Sequence, residues 1–198
     1  MTNYLLSIDP SIKNTGFTLW EHIYQDCKCF GNCSCNNIDI WKPIWIKSYN
    51  FNKYKDIIDY DFQDIIYENN FRNIIDKINF YIESPYTYDW DKITLIIERG
   101  TFHSKNGIGY ETQEHLRGFI AGQFNKLLTK DMLISPSSWK KWYVKIFWYA
   151  KDKKWDKKLS LKLANQVIQE QGWNITISNH DEADSLLIGW YYLNKEVK

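Results

Sequence analysis

The chain has 198 residues, 44% of them hydrophobic, and a formal net charge of +1. That length and apolar fraction suit a single domain spanning 1–198, with room for a sheet covered by helices. No apolar run reaches the ~18 residues of a membrane span, and no charged segment precedes the first apolar stretch, so neither a span nor a signal peptide is expected.

In chain order, Tyr4 to Asp9 predicts a fully buried strand, short and apolar, that stops before Pro10. The turn from Pro10 to Gly16 leads into Phe17-Thr18-Leu19-Trp20, whose alternation predicts an antiparallel partner with Asp9 beside the bend. Trp41 to Ser48 reads as a third strand, and Pro43 favours an edge position because it cannot donate to a ladder. Between them, about 21–40, lies an expected insertion that holds all four cysteines of the chain: Cys27, Cys29, Cys33 and Cys35. If Phe30-Gly31-Asn32 turns a hairpin, Cys29 faces Cys33 and Cys27 faces Cys35, a square that could hold a structural Zn²⁺. Disulfides, disfavoured in a reducing cytosol, and free thiols remain open alternatives.

From Tyr54 to Ile82 apolar residues recur at helical spacing, which predicts one long or two shorter amphipathic helices. Ile93 to Glu98 is a fourth strand. A glycine-rich loop, Gly100 to Gly109, precedes a helix over 110–128. Its Leu116, Phe119, Ile120 and Phe124 exceed a one-sided stripe and mark a candidate dimer surface. Met132-Leu133-Ile134 reads as a fifth strand. Ser137 or Ser138 can cap a helix to Phe147, and a helix near 157–171 follows a lysine-rich loop. A closing helix starts at Asn179 or His180 and runs to Leu193. This order predicts an α/β fold, a mixed sheet with helices on both faces.

Four acids stand at element ends. Asp9 and Glu98 each finish an apolar strand, while Asp181 and Asp184 open the last helix, where residues three apart share a face. Singly, each has an ordinary reading as a turn, strand-end or helix-start residue. Jointly, if the first and fourth strands are neighbours, the four carboxylates meet at one sheet edge. Like charges so placed are costly unless a cation neutralises them, and hard oxygen ligands suit Mg²⁺ or Mn²⁺. Glu182 adds a fifth acid, expected to be exposed or behind the ligands, and His180 could assist or simply cap.

The small net charge hides segregation. Between Lys140 and Lys162 there are nine lysines against Asp152 and Asp156 alone. The run Trp139 to Tyr149 interleaves aromatics with lysines, a pattern that serves either base stacking or an amphipathic core helix. Lys153, Lys154, Lys157 and Lys158 lie where phosphate contact is expected, with Lys140 and Lys145 on the preceding helix.

Ile8-Asp9-Pro10-Ser11 with Thr15-Gly16-Phe17, then Ile96-Ile97-Glu98, Leu116-Arg117-Gly118, Ser135-Pro136 and the lysines after it, and Asp181-Glu182-Ala183-Asp184, together resemble the RuvC-type Holliday junction resolvases of the ribonuclease H-like superfamily. The resemblance spans most of the chain except about 21–40 and 50–92. It implies a ribonuclease H-like five-stranded sheet. It also implies hydrolysis of phosphodiesters at a centre of two Mg²⁺ or Mn²⁺ ions held by Asp9, Glu98, Asp181 and Asp184, with a catalytic lysine such as Lys141. The implied substrate is branched DNA, a four-way junction cut by symmetric paired nicks, which calls for a homodimer. Phe102 and Lys105 in the loop after Glu98, and Arg117 beyond it, become expected DNA contacts. The turn departs from many relatives in carrying Ser11 where they have glycine. Alternatives are a nuclease of this fold acting on flaps or RNA–DNA hybrids, an actin–hexokinase-type nucleotide-binding protein, and a non-catalytic DNA binder. The Gly-poor, Asn-, Ile- and Lys-rich composition suits an AT-rich viral or phage genome, and with no signal peptide expected the location expected is the cytoplasm, the host cell's if viral.

Overall fold

The computed structural model describes residues 4–11, 14–25, 38–50, 70–82, 90–100, 107–147, 150 and 154–195. Five strands form one sheet: β1 (Tyr4–Asp9), β2 (Thr15–Gln25), β3 (Ile38–Tyr49), β4 (Ile93–Glu98) and β5 (Leu133–Ile134). Their spatial order is β3-β2-β1-β4-β5. β1, β2 and β3 pair antiparallel, whereas β4 runs parallel to β1 and β5 parallel to β4. This is the mixed five-stranded sheet expected from the sequence, and it makes the first and fourth strands neighbours. Five helices accompany it among the described residues: α1 (Asn70–Tyr81), α2 (Gly107–Gln123), α3 (Pro136–Ile146), α4 (Lys157–Gln171) and α5 (His180–Asn194). None of them is long and apolar enough to cross a membrane.

Strand alternation sorts the core into two layers. Leu6, Ile8, Leu95 and Ile97 point to one face, where they meet Ile74 and Ile78 of α1 and Leu116 and Ile120 of α2. Leu5 and Ile96 point to the other, where they meet α3, α4 and α5 through Trp139, Leu163 and Leu187. Both faces are covered, which is why β1 and β4 read as continuous apolar runs. Beneath α5 lies a small buried polar layer. The Ser7 hydroxyl accepts from Trp20 Nε1 at 2.9 Å and donates to the Ser185 carbonyl at 2.8 Å, and the Thr18 and Ser185 hydroxyls are 2.8 Å apart. Directional bonds of this kind fix the register of α5 on the sheet more tightly than apolar contact alone.

Several boundaries differ from expectation. β2 and β3 run on as a paired ladder to Gln25 opposite Ile38, so residues 21–25 and 38–40 are sheet rather than insertion. Pro43 does sit on the edge strand, where the register shifts between Leu19 and Trp20. The four cysteines, and the zinc square expected of them, lie outside the described residues, as does 54–69. α3 starts at Pro136 with Ser135 as its N-cap. Proline is favoured in the first turn because its missing N–H would be unpaired there anyway, and Ser137 instead shares a hydrogen bond with Ser135. The face of α2 expected to form a dimer is used within the chain: Leu116, Ile120 and Phe124 are core residues and Phe119 packs against them.

Candidate active site

Strand parity places the first two acids. Asp9 shares its side of β1 with Leu5 and Ser7, and Glu98 shares its side of β4 with Ile96, so both face the α3–α5 layer. Ile8 pairs with Ile97, which puts Asp9 and Glu98 at matching levels on adjacent parallel strands. The crevice at the carboxyl ends of parallel strands is where open α/β sheets place their ligands.

The second pair arrives on α5. Asn179 caps this helix, its Oδ1 accepting from the N–H groups of Asp181 and Glu182 at 3.0 Å each. The cap therefore does not consume the Asp181 carboxylate. Gly16, opposite Asp9 in the hairpin, lets the helix start come this close: a Cβ there would collide with the carbonyl of Asp181 and press on the N–H of Glu182. Glu182 is buried rather than exposed. Its carboxylate accepts from the Ser48 N–H at 3.1 Å and the Ser178 N–H at 2.7 Å, while Asn179 Nδ2 donates to the Ser48 hydroxyl at 2.7 Å. The fifth acid thus ties α5 to the edge strand β3.

So assembled, the four carboxyls act on one another. Asp9 is held well above the usual carboxylate range, first by burial and then by the charges of Glu98, Asp184 and Asp181, and it hydrogen-bonds to Glu98. Asp184 is pushed up to about 7 by burial, against the help of a Ser160 hydrogen bond, with Glu98 and Asp181 raising it and Lys140 lowering it. Asp181 is also raised by burial, opposed by His180, Lys157 and Asn14. His180 Nε2 lies 3.2 Å from Asp181 Oδ1, whereas Asp181 Oδ2 and Asp184 Oδ1 are buried with no hydrogen-bond partner. Buried acceptors left in this state are costly and invite a cation. Among the described residues no three His, Cys, Asp or Glu side chains form a ready-made metal cluster. The donor chemistry nevertheless fits a hard divalent cation: oxygen only, mutually repelling, with two unpartnered atoms.

Around the acids the lysines separate. Lys140 Nζ stands 4.9 Å from the Trp139 ring centroid and 5.7 Å from that of Trp155, and its charge acts on Asp184. Lys141, one residue further, is exposed, as are Lys145, Lys154, Lys157 and Lys158. Arg117, expected as a DNA contact, is turned into the protein instead of toward its surface. It is 2% exposed, its Nε donating to the Glu98 carbonyl at 2.7 Å and its Nη1 to Glu114 at 2.7 Å. Burial lowers its pKa, which the negative charges of Glu114 and Glu98 oppose. Gly100 leaves room for that crossing, because a Cβ there would come within 2.8 Å of Arg117 Nη1. Trp139, Tyr143 and Phe147 are core residues, so the aromatic run on α3 packs inward instead of offering stacking surfaces. Phe102, Lys105 and Lys153 lie outside the described residues. Trp155, Ser160, Asn179 and Gly16 were missed as site residues. Asp156 before Leu159 signals a helix start, but nothing in the local sequence aims Ser160 at Asp184.

No protein-family model matches the chain, and no curated protein matches it by sequence. Solved structures similar to it in fold include two of RuvC from Thermus thermophilus. One, in complex with Holliday junction substrate, has 10% identity and a TM-score of 0.48 over 98% of this chain and 96% of that one. The other has 11% identity and a TM-score of 0.44 over 97% and 96%.

Proposed function

We propose that the chain is a divalent-metal-dependent endonuclease that resolves four-way DNA junctions by paired nicks. The observation that carries the nuclease reading is the meeting of Asp9, Glu98, Asp181 and Asp184 at the carboxyl ends of β1 and β4, with two buried oxygens left without a partner. The junction as substrate rests on the motifs around those acids, which resemble the junction resolvases in residue type and order.

Asp9, Glu98, Asp181 and Asp184 would hold Mg²⁺ or Mn²⁺. The chemistry such ions supply is activation of water and neutralisation of charge on a phosphodiester, leaving 5′-phosphate and 3′-hydroxyl ends. The chain's own residues supply position. Strand ends fix Asp9 and Glu98, and the Asn179 cap and Glu182 anchor fix the helix that carries Asp181 and Asp184. Lys140, rather than Lys141, takes the role of the cation beside the scissile phosphate, because it already borders Asp184. Lys154, Lys157 and Lys158 give salt-dependent attraction to the arms. Two symmetric nicks require two such sites, hence a homodimer on a surface other than the buried face of α2.

The test is Asp9→Asn with a synthetic mobile junction and Mg²⁺. Loss of paired nicks with binding retained is expected. Undiminished cleavage would overturn the site, and equal cutting of flaps or RNA–DNA hybrids would move the substrate to a broader class.

A further inference from the structure

Behind the acids stand two indoles whose hydrogen bonds lead to separate carboxylates. Trp139 Nε1 donates to Glu98 Oε1 at 2.9 Å. Trp155 Nε1 donates to the Ser160 hydroxyl at 2.9 Å, and that hydroxyl donates to Asp184. The rings meet edge to face, with centroids 4.9 Å apart at 88°, and Lys140 lies over both. Trp139 is fully buried, and Ser160 is 1% exposed.

We propose that Trp139 and Trp155 are positioning residues: an indole pair that aims Glu98 and Asp184 toward the cation of the proposed centre. The inference rests on the nuclease reading of those acids and extends it to what orients them. An indole N–H donates but cannot accept. Trp139 therefore occupies one lone pair of Glu98 Oε1 and holds that oxygen while the carboxylate also hydrogen-bonds to Asp9. Ser160 has one proton to give. Trp155 fills an acceptor position of that hydroxyl, so the proton is directed at Asp184. Packing alone does not require either bond, since phenylalanine would fill most of the same volume without an N–H. Groups that orient ligands in this way typically change metal affinity by about 10–100-fold when removed.

The experiment is Mn²⁺ titration by calorimetry on the intact chain. Trp139→Phe, Trp155→Phe and Ser160→Ala are compared with Trp45→Phe, a buried indole in the core layer on the opposite face of the sheet. Each of the first three should weaken Mn²⁺ binding roughly 10-fold. The Mn²⁺ concentration for half-maximal nicking should rise in parallel, with kcat at saturating Mn²⁺ changed less. Trp45→Phe should leave binding unchanged whatever it costs in stability. Because Trp155 acts through Ser160, the Trp155→Phe/Ser160→Ala double variant should bind no more weakly than Ser160→Ala alone. Ser160→Ala removes no ring, so it keeps the test open if a Trp variant folds poorly. Unchanged affinity in Trp139→Phe and Ser160→Ala, or a full additional loss in the double variant, would overturn the positioning role. No Mn²⁺ uptake by the unaltered chain would overturn the nuclease reading itself.

Discussion

Replacing Asp184 by asparagine should stabilise the fold at alkaline pH while abolishing divalent-ion uptake. Burial and the neighbouring acids raise Asp184 to about 7, whereas an unfolded aspartate titrates near ~3.9. Between those values the folded chain keeps a proton that the unfolded chain has lost. Stability present at low pH is therefore lost as pH rises, and the loss is complete above about 7. About three pH units at ~1.4 kcal/mol each give up to about 4 kcal/mol for this one group, or roughly 10 °C in melting temperature for a chain of this size. Asp9, raised well above its usual range, adds to the decline in the same direction. Urea unfolding at pH 5 and pH 8, with chelator present, captures about two of those three pH units, roughly 3 kcal/mol. The unaltered chain should lose stability between the two, and Asp184→Asn should lose distinctly less. Added Mn²⁺ should restore the unaltered chain at pH 8, by binding only the folded state, and have little effect on the variant. Equal stability of the unaltered chain at pH 5 and pH 8, or a variant that declines just as steeply, would refute the assignment of burial and mutual repulsion as the cause.

Gly16→Ala should cost about 1–3 kcal/mol by overpacking and weaken Mn²⁺ binding in calorimetry, because its Cβ meets the backbone that starts α5. Glu182→Ala should destabilise by about 1–3 kcal/mol in urea unfolding, since it leaves the Ser48 and Ser178 N–H groups without their acceptor. Junction binding as a function of salt separates the basic residues. Lys157→Ala and Lys158→Ala should each reduce the slope by about one if they contact phosphates. Arg117→Met should leave the slope alone and lower stability by about 1–3 kcal/mol, through the lost donor to the Glu98 carbonyl.

Much of this site was legible because it is built on periodicity. The apolar runs ending in Asp9 and Glu98, and the Asp181–Asp184 spacing, announce strand tips and a helix face without reference to anything distant. The closing helix, its Asn179 cap and the helix over 157–171 follow from local capping rules in the same way. What stayed hidden depends on long-range contact. Arg117 and the lysines are alike in composition, and only burial against Gly100 and Glu114 separates a structural cation from solvent-facing ones. The same holds for Glu182, whose partners Ser48 and Ser178 sit on β3 and in the turn before α5. The length of β2 and β3 was masked for a different reason: cross-strand pairing to Gln25 and Ile38 sustains sheet where residue alternation had already faded.

The aromatic run on α3 connects these points. A lysine-rich helix beside the proposed DNA site could spend its aromatics on bases, yet Trp139 and Tyr143 face inward, while Lys141 and Lys145 stay exposed. One turn of helix thereby serves two layers. Trp139 reaches Glu98 from the core side, Tyr143 donates to the Leu187 carbonyl of α5 at 2.8 Å, and Lys140 is held over two rings at the rim. A carboxylate cluster that repels itself needs stiff support, since each acid is more stable turned away from the others. Here the support comes from a buried aromatic layer that touches both β4 and α5, and so couples the two elements that carry three of the four acids.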